Sequence, residues 1–192
     1  MKPLLVIGAS SFGRLIRLLA RDAGYDCLGF LDDFNEGEAI VGTRHALGTR
    51  FKPENVCLAL AIGYRHLDAR IQLYRDATSL GFSFPPLVHP RAIVSAEATI
   101  GDGSFLMAGC NVDAFAKLGA ACVLWPGAIV SHDTTVGENT FVSPNATICG
   151  FAHVGHSSFI GAGSVIVDGA SLDAHAFVKA GTRIGRRAAN DR

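Results

Sequence analysis

From Val88 to Ile184 an aliphatic side chain stands at every sixth position without a miss: Val94, Ile100, Leu106, Val112, Leu118, Leu124, Val130, Val136, Val142, Ile148, Val154, Ile160, Ile166, Leu172 and Val178 lie between them. A second register runs with the first. Four residues after each of these the side chain is small, as at Ser104, Cys110, Ala116, Cys122, Ala128, Thr134, Thr140 and Ala146. Neither the 3.6-residue period of a helix nor the two-residue alternation of a strand produces this pair of registers. A six-residue period suits a triangular solenoid, in which each hexapeptide makes one short strand and a corner, and three hexapeptides close a coil of eighteen residues. The aliphatic residue then points to the axis and the small one fits where the chain turns. Residues eighteen apart stack as neighbouring parallel strands about 4.8 Å apart. Roughly five such coils fit between residues 91 and 185.

The first part of the chain has a different pattern. The apolar run Leu4-Leu5-Val6-Ile7 ends in Gly8-Ala9-Ser10-Ser11-Phe12-Gly13, after which Leu15, Ile16, Leu18 and Leu19 recur at helical spacing up to Gly24. This predicts strand, glycine turn and helix. A second strand from Cys27 to Leu31 delivers Asp32 and Asp33 about twenty residues after the turn, where a dinucleotide fold places its ribose-binding acid. A third apolar run, Val56 to Ile62, ends in Gly63-Tyr64-Arg65, and a helix carrying Leu67, Ile71, Leu73 and Tyr74 follows up to Leu80. The pattern reads as a half Rossmann unit whose first helix offers free N–H groups and a positive dipole end to a phosphate. The same turn also serves plain strand-to-helix geometry with no ligand. The unit is too small for two mononucleotide halves, which favours a single nucleotide over a complete NAD site. The linker Phe84-Pro85-Pro86-Leu87-Val88-His89-Pro90 stops any helix. We therefore expect an α/β Rossmann-like domain over residues 1–86 and a parallel β-helix over residues 87–192, with His89 in a structural role.

Composition narrows the function. Seventeen basic residues balance seventeen acidic ones, so no net field draws in nucleic acid or an anionic membrane. Apolar residues make up 49% of the chain but lie singly and in short runs. None approaches the roughly 20 residues needed to span a bilayer. The apolar stretch in the opening MKPLLVIGAS is too short for a signal segment and runs into a glycine turn. Five cysteines, Cys27, Cys57, Cys110, Cys122 and Cys149, form an odd set without CxxC spacing. That argues against a disulfide framework or zinc knuckle and leads us to expect a soluble, cytoplasmic protein.

Within the repeat, Ile129-Val130-Ser131-His132-Asp133-Thr134 carries the chemistry. His132 is two residues past an inward position, so its side chain should lie outside near a corner. An imidazole there could take the proton of a nucleophile near neutral pH. Asp133 could orient the ring by accepting from Nδ1. One coil further on, Gly150 should stack on His132 and Cys149 on Ser131. A glycine there lets a ligand approach the backbone, and its N–H could hold an oxygen on which charge develops. A glycine that merely relieves a tight corner is the plainer alternative.

The repeat closely resembles the hexapeptide-repeat acyltransferases. Nearly the whole chain resembles the bacterial sugar acetyltransferases typified by bacillosamine-pathway N-acetyltransferases and sialic acid O-acetyltransferases. The matching segments are the Gly8–Gly13 turn, Leu31-Asp32-Asp33, Ala61-Ile62-Gly63, Leu87-Val88-His89-Pro90, Val130-Ser131-His132-Asp133 and Cys149-Gly150. The resemblance implies left-handed coils, an exception to the usual crossover rule, and flat prism faces that pack into a homotrimer. It makes His132 the base, places Asp133 where many members have glutamate, and matches Gly150 to the glycine whose amide meets the acetyl group. Acetyl-CoA would lie in the groove between adjacent prisms, against Cys149, Gly150, Ala162 and Gly181, and no metal is implied. Gly8, Ser10 and Gly13, with Ser11, Phe12 and Gly63 beside them, would bind the diphosphate side of a nucleotide-activated sugar, and Asp32 or Asp33 its base or ribose.

This chain departs from the family pattern in three places. Ser11-Phe12 replaces a glycine-histidine pair, Phe141 stands where some relatives have histidine, and the usual Gly-x-Pro-Ala segment near the C-terminus is missing. Arg186 and Arg187 either meet a coenzyme phosphate or form a basic tail. Two rival functions remain. A zinc hydratase on the same prism would draw on His132, His153, His156 and His175, but none of these lies eighteen residues from another. A non-catalytic nucleotide-sugar-binding scaffold would leave His132 beside Gly150 without purpose. We expect the acceptor to be the amino group of a nucleotide-linked sugar, because an uninterrupted repeat leaves no extruded loop for an acceptor site and the first domain supplies phosphate-binding geometry. O-acetylation of sialic acid or another sugar hydroxyl is the alternative.

Overall fold

The computed structural model describes residues 2–185. The chain separates into two compact units, one running to Pro90 and the other starting at Arg91.

In the first unit β1 (Leu4–Ile7), α1 (Ser11–Asp22), β2 (Cys27–Leu31), β3 (Ile40–Gly42), β4 (Cys57–Leu60) and α2 (Leu67–Ser79) follow in order. The sheet is fully parallel, in the order β3-β2-β1-β4. β1 and β4 are buried along their whole length, as expected of strands covered on both faces of the sheet. Leu5, Ile7, Leu31, Leu58, Leu60, Phe82 and Phe84 form one core cluster. The ring of Tyr74 on α2 closes it, 4.8 Å from that of Phe84. α1 buries Ile16, Leu19 and Ala20 but leaves Leu15 and Leu18 exposed, so only half of its predicted apolar set is core. Strand β3 was not foreseen. Its three residues are only half-buried, and pairing to β2 makes it a strand, with Phe30 opposite Ile40. β1 therefore lies between strands reached in opposite directions from it, the arrangement that opens a crevice at the carboxyl edge of a parallel sheet.

The second unit is a parallel β-helix of three flat sheets. One stacks Ile93–Val94, Asn111–Val112, Ile129–Val130, Thr147–Ile148, Val165–Ile166 and Arg183–Ile184. A second stacks Thr99–Ile100, Lys117–Leu118, Thr135–Val136, His153–Val154 and Ser171–Leu172, and the third includes Phe105–Leu106, Val123–Leu124, Phe141–Val142, Phe159–Ile160 and Phe177–Val178. Each strand pairs with the residues eighteen positions on, as Val130 with Ile148. The predicted axial residues from Leu106 to Ile166 are almost fully buried. Each contributes about 1.5–3 kcal/mol of gross burial. Val94, Ile100, Leu172 and Ile184, nearer the ends, are only half-buried.

The small-residue register from Ser104 to Ala170 is buried as well, and its hydroxyls tie coils together. Ser158 Oγ donates to the Gly155 carbonyl at 2.8 Å and accepts from the Ala176 N–H at 3.1 Å. Corners turn through left-handed backbone, which non-glycine residues adopt here at Phe115, Asp133 and Phe151 on one edge. Each such residue costs roughly 1–3 kcal/mol, which the stacked strands on either side must over-determine.

Candidate active site

His132 lies at the corner between the strands Ile129–Val130 and Thr135–Val136. The next residue, Asp133, has φ of 56°. That sharp turn brings its carboxylate back onto the imidazole, with Nδ1 and Oδ2 3.0 Å apart. A carboxylate can only accept, so Nδ1 carries the proton, and in the neutral ring the lone pair is then on Nε2. The two side chains are 49% and 41% exposed, open enough for a substrate to reach them.

The next coil supplies the floor. A Cβ built on Gly150 would lie 2.8 Å from Cε1 and 2.9 Å from Nε2 of His132, so the ring rests on a position where no side chain fits without displacing it. Gly150 is a buried residue; among the described residues its N–H meets no acceptor, while its carbonyl accepts from the Gly169 N–H at 2.9 Å. Cys149 is half-buried, and its carbonyl accepts from the buried Thr134 hydroxyl at 2.8 Å. That bond links the coil of the imidazole to the coil of the glycine. Phe151 completes the corner. Its N–H donates to the His132 carbonyl at 3.2 Å, and its ring meets the imidazole edge-on, with centroids 5.1 Å apart. Sequence reasoning missed Phe151 because it carries no acid–base chemistry. The available signal was a large apolar residue in the corner column of Asp133, eighteen positions on.

Ala162 and Gly181 are joined to each other by a 2.8 Å backbone bond at another corner, at the opposite end of the face that leads to His132. Within one chain they do not meet the imidazole. Phe141 is buried at 1% exposure between Val123 and Phe159. Arg186 and Arg187 lie outside the described residues. His156 and His175 pack edge-on with centroids 5.0 Å apart, and among the described residues no group of three or more His, Cys, Asp or Glu could hold a metal. Among them, too, no helix is long and apolar enough to cross a membrane.

The sequence-predicted residues of the first unit gather at the carboxyl edge of its sheet. Gly8 turns at φ of 101°, and a Cβ there would meet the Ala61 carbonyl oxygen at 2.8 Å; one on Gly13 would run into the Gly8 carbonyl. The glycines thus allow α1 to start hard against β1 and β4. Ser10 caps α1 without a side-chain hydrogen bond, Ser11, Phe12 and Gly13 form the first turn, and Gly63 precedes the short 3-10 turn Tyr64–His66 after β4.

The two aspartates are already engaged. Asp32 accepts from the Ala9 N–H at 2.6 Å and from the Phe34 and Asn35 N–H groups at 2.9 Å each, with Asn35 Nδ2 at 3.1 Å. Partial burial pushes its pKa up, but these donors outweigh that and hold it below the usual aspartate value. Asp33 pairs with Arg44, Oδ2 to Nε, at 2.7 Å. A small cavity of about 100 Å³ lies among Gly8, Asp32, Asp33, Phe34, Arg44 and Ile62.

Residues 3–76 match the family of the PglD N-terminal domain, and residues 115–150 match the bacterial transferase hexapeptide family of six repeats. No protein of curated function matches the chain. Among solved structures it is similar to the acetyltransferase domain of PglB from Neisseria gonorrhoeae FA1090. The identity is 31%, with a TM-score of 0.92, over 99% of this chain and 94% of that one. The same domain in complex with acetyl coenzyme A matches at 32% identity and a TM-score of 0.88, over 95% and 92% of the two chains. PerB from Caulobacter crescentus, in complex with CoA and GDP-perosamine, matches at 27% identity and a TM-score of 0.88, over 97% and 90%.

Proposed function

The chain belongs to the hexapeptide-repeat sugar acetyltransferase family, and from that membership we propose that it moves the acetyl group of acetyl-CoA onto the amino group of a nucleotide-linked amino sugar. His132 is the general base. The observation that carries this reading is the imidazole seated on Gly150, with its Nδ1 proton held by Asp133.

Acetyl-CoA supplies the acetyl group as a thioester. His132 Nε2 takes the proton of the acceptor amine as the carbon–nitrogen bond forms, and returns it to the departing coenzyme sulfur. Asp133 stabilises the imidazolium while it exists. The Gly150 N–H, with no acceptor of its own among the described residues, holds the acetyl oxygen as charge builds on it in this reading. Such a donor lowers the barrier by roughly 3–4 kcal/mol in related chemistry.

Acceptor choice rests on the first unit. The small cavity by Gly8, Asp33 and Arg44, at the carboxyl edge of a parallel sheet, is where such folds take nucleotides. PerB, which shares this architecture, is bound to CoA and GDP-perosamine in its structure, which supports a nucleotide-linked amino sugar here as well. Ala162 and Gly181 lie a full face away from His132 within one chain. Their share in the coenzyme site requires adjacent copies, so we take the working enzyme to be a homotrimer.

The test is an assay of acetyl-CoA with UDP-, GDP- and dTDP-linked amino sugars, run on wild type and His132→Ala. We expect turnover on at least one nucleotide sugar and a loss of about 10²- to 10⁴-fold in the variant. Activity confined to free sialic acid would refute the acceptor, and unchanged turnover in the variant would refute the base.

A further inference from the structure

A groove of about 600 Å³ lies beside α1 in the first unit, and it shares no lining residue with the cavity at Gly8 and Asp33. The crossover from β2 to β3 carries no helix, and Leu28 on β2 stays 44% exposed. Three arginines, Arg14, Arg17 and Arg21, line the groove from positions three and four apart on α1, so they share one helix face. From the first to the last is about 10 Å along the axis. Arg21 is paired with Asp22 at 3.1 Å. Among the described residues, Arg14 and Arg17 have no carboxylate partner, and Arg17 lies over the Phe30 ring, 5.6 Å from its centre. The far end of the groove holds Tyr25 and Asp26.

The volume is that of a small-molecule site. Two guanidiniums on one helix face, neither with a carboxylate partner among the described residues, suit a group with several anionic oxygens, since each can give parallel N–H bonds to a phosphate. An aromatic ring and a carboxylate at the other end suit the ring and hydroxyls of a nucleoside. We propose that this groove is a second ligand site that takes a nucleoside diphosphate, with its phosphates on Arg14 and Arg17 and its nucleoside toward Tyr25 and Asp26. The site is separate from the acceptor site, and nothing in the acetyl-transfer chemistry requires it.

Cys27 lines the same groove and is half-buried, which provides a local probe. The full chain is alkylated with iodoacetamide at mildly alkaline pH, and labelling of the Cys27 peptide is followed by mass spectrometry with added ADP, inorganic pyrophosphate or adenosine. ADP should slow Cys27 labelling in wild type, pyrophosphate should do so more weakly, and adenosine should not. In Arg14→Ala/Arg17→Ala the ADP concentration needed for protection should rise at least about tenfold, because two charge-assisted contacts are lost. Both side chains are exposed, so the variant should keep its fold; Arg14→Lys/Arg17→Lys, which keeps the charge, should retain part of the protection. Equal protection in wild type and the alanine variant, or none in wild type, would overturn the site. Protection by pyrophosphate as strong as by ADP would overturn the nucleoside assignment.

Discussion

The imidazole of His132 rests on the α-carbon of Gly150 one coil away, so close that a methyl group on that carbon would come within 2.9 Å of Nε2. Gly150→Ala should therefore push the ring aside. The ring is a half-exposed side-chain end and can move at little energetic cost, so the thermal midpoint should hardly change. Turnover should fall by about 10²-fold, because Nε2 leaves the place proposed for it to meet the acceptor. Parallel kcat and melting measurements check this. A large drop in melting temperature would show that the glycine serves the corner rather than the chemistry.

Asp133 tests orientation. Asparagine tolerates the left-handed conformation that this position requires, so Asp133→Asn should fold normally. It cannot offer a negative charge to the imidazolium. We expect kcat to fall at least about tenfold with KM little changed. An unaltered kcat would assign the 3.0 Å contact to the turn alone.

Thr134 links the two halves of the site through its 2.8 Å bond to the Cys149 carbonyl. Thr134→Val keeps the shape and leaves that carbonyl without its hydroxyl donor. The cost should be about 1–3 kcal/mol in a denaturant titration. The coil bearing Gly150 should loosen with it, and turnover should decline in step.

Asp32 predicts an acid dependence. Its folded-state pKa is depressed by the N–H groups of Ala9, Phe34 and Asn35 despite partial burial, so its contribution is fully present above the ordinary value of 3.8. That contribution drains as pH falls from there through the lower folded value, because the unfolded chain takes up the proton first. The melting temperature of wild type should thus fall more steeply below that point than that of Asp32→Asn, which should already be less stable at neutral pH. Parallel acid limbs would mean that the carboxylate adds nothing to the turn.

Much of the second unit was legible because its rule is short-range. Every sixth residue must fill the axis and every corner must admit a small side chain, so register, strand stacking and the column joining His132 to Gly150 can all be counted along the chain. Strand β3 could not be counted, since Ile40–Gly42 has no period of its own and becomes a strand only beside β2. The acids after β2 were visible as residue types. That Asp32 would be taken up by the Ala9 N–H, twenty-three residues away, and Asp33 by Arg44, was not.

What the order of residues determined by itself is a stacked three-sided coil behind a small parallel-sheet unit, and the column in which an imidazole and a glycine must neighbour each other. Burial at a fixed interval is a property of one dimension. Only the folded chain decided which atoms of that column touch, the carboxylate turned back onto Nδ1 and the Phe151 ring set against the imidazole, and, in the first unit, that three arginines of α1 line one groove with Phe30. Those contacts depend on torsion angles at single corners and on pairings between distant segments, which no periodicity encodes.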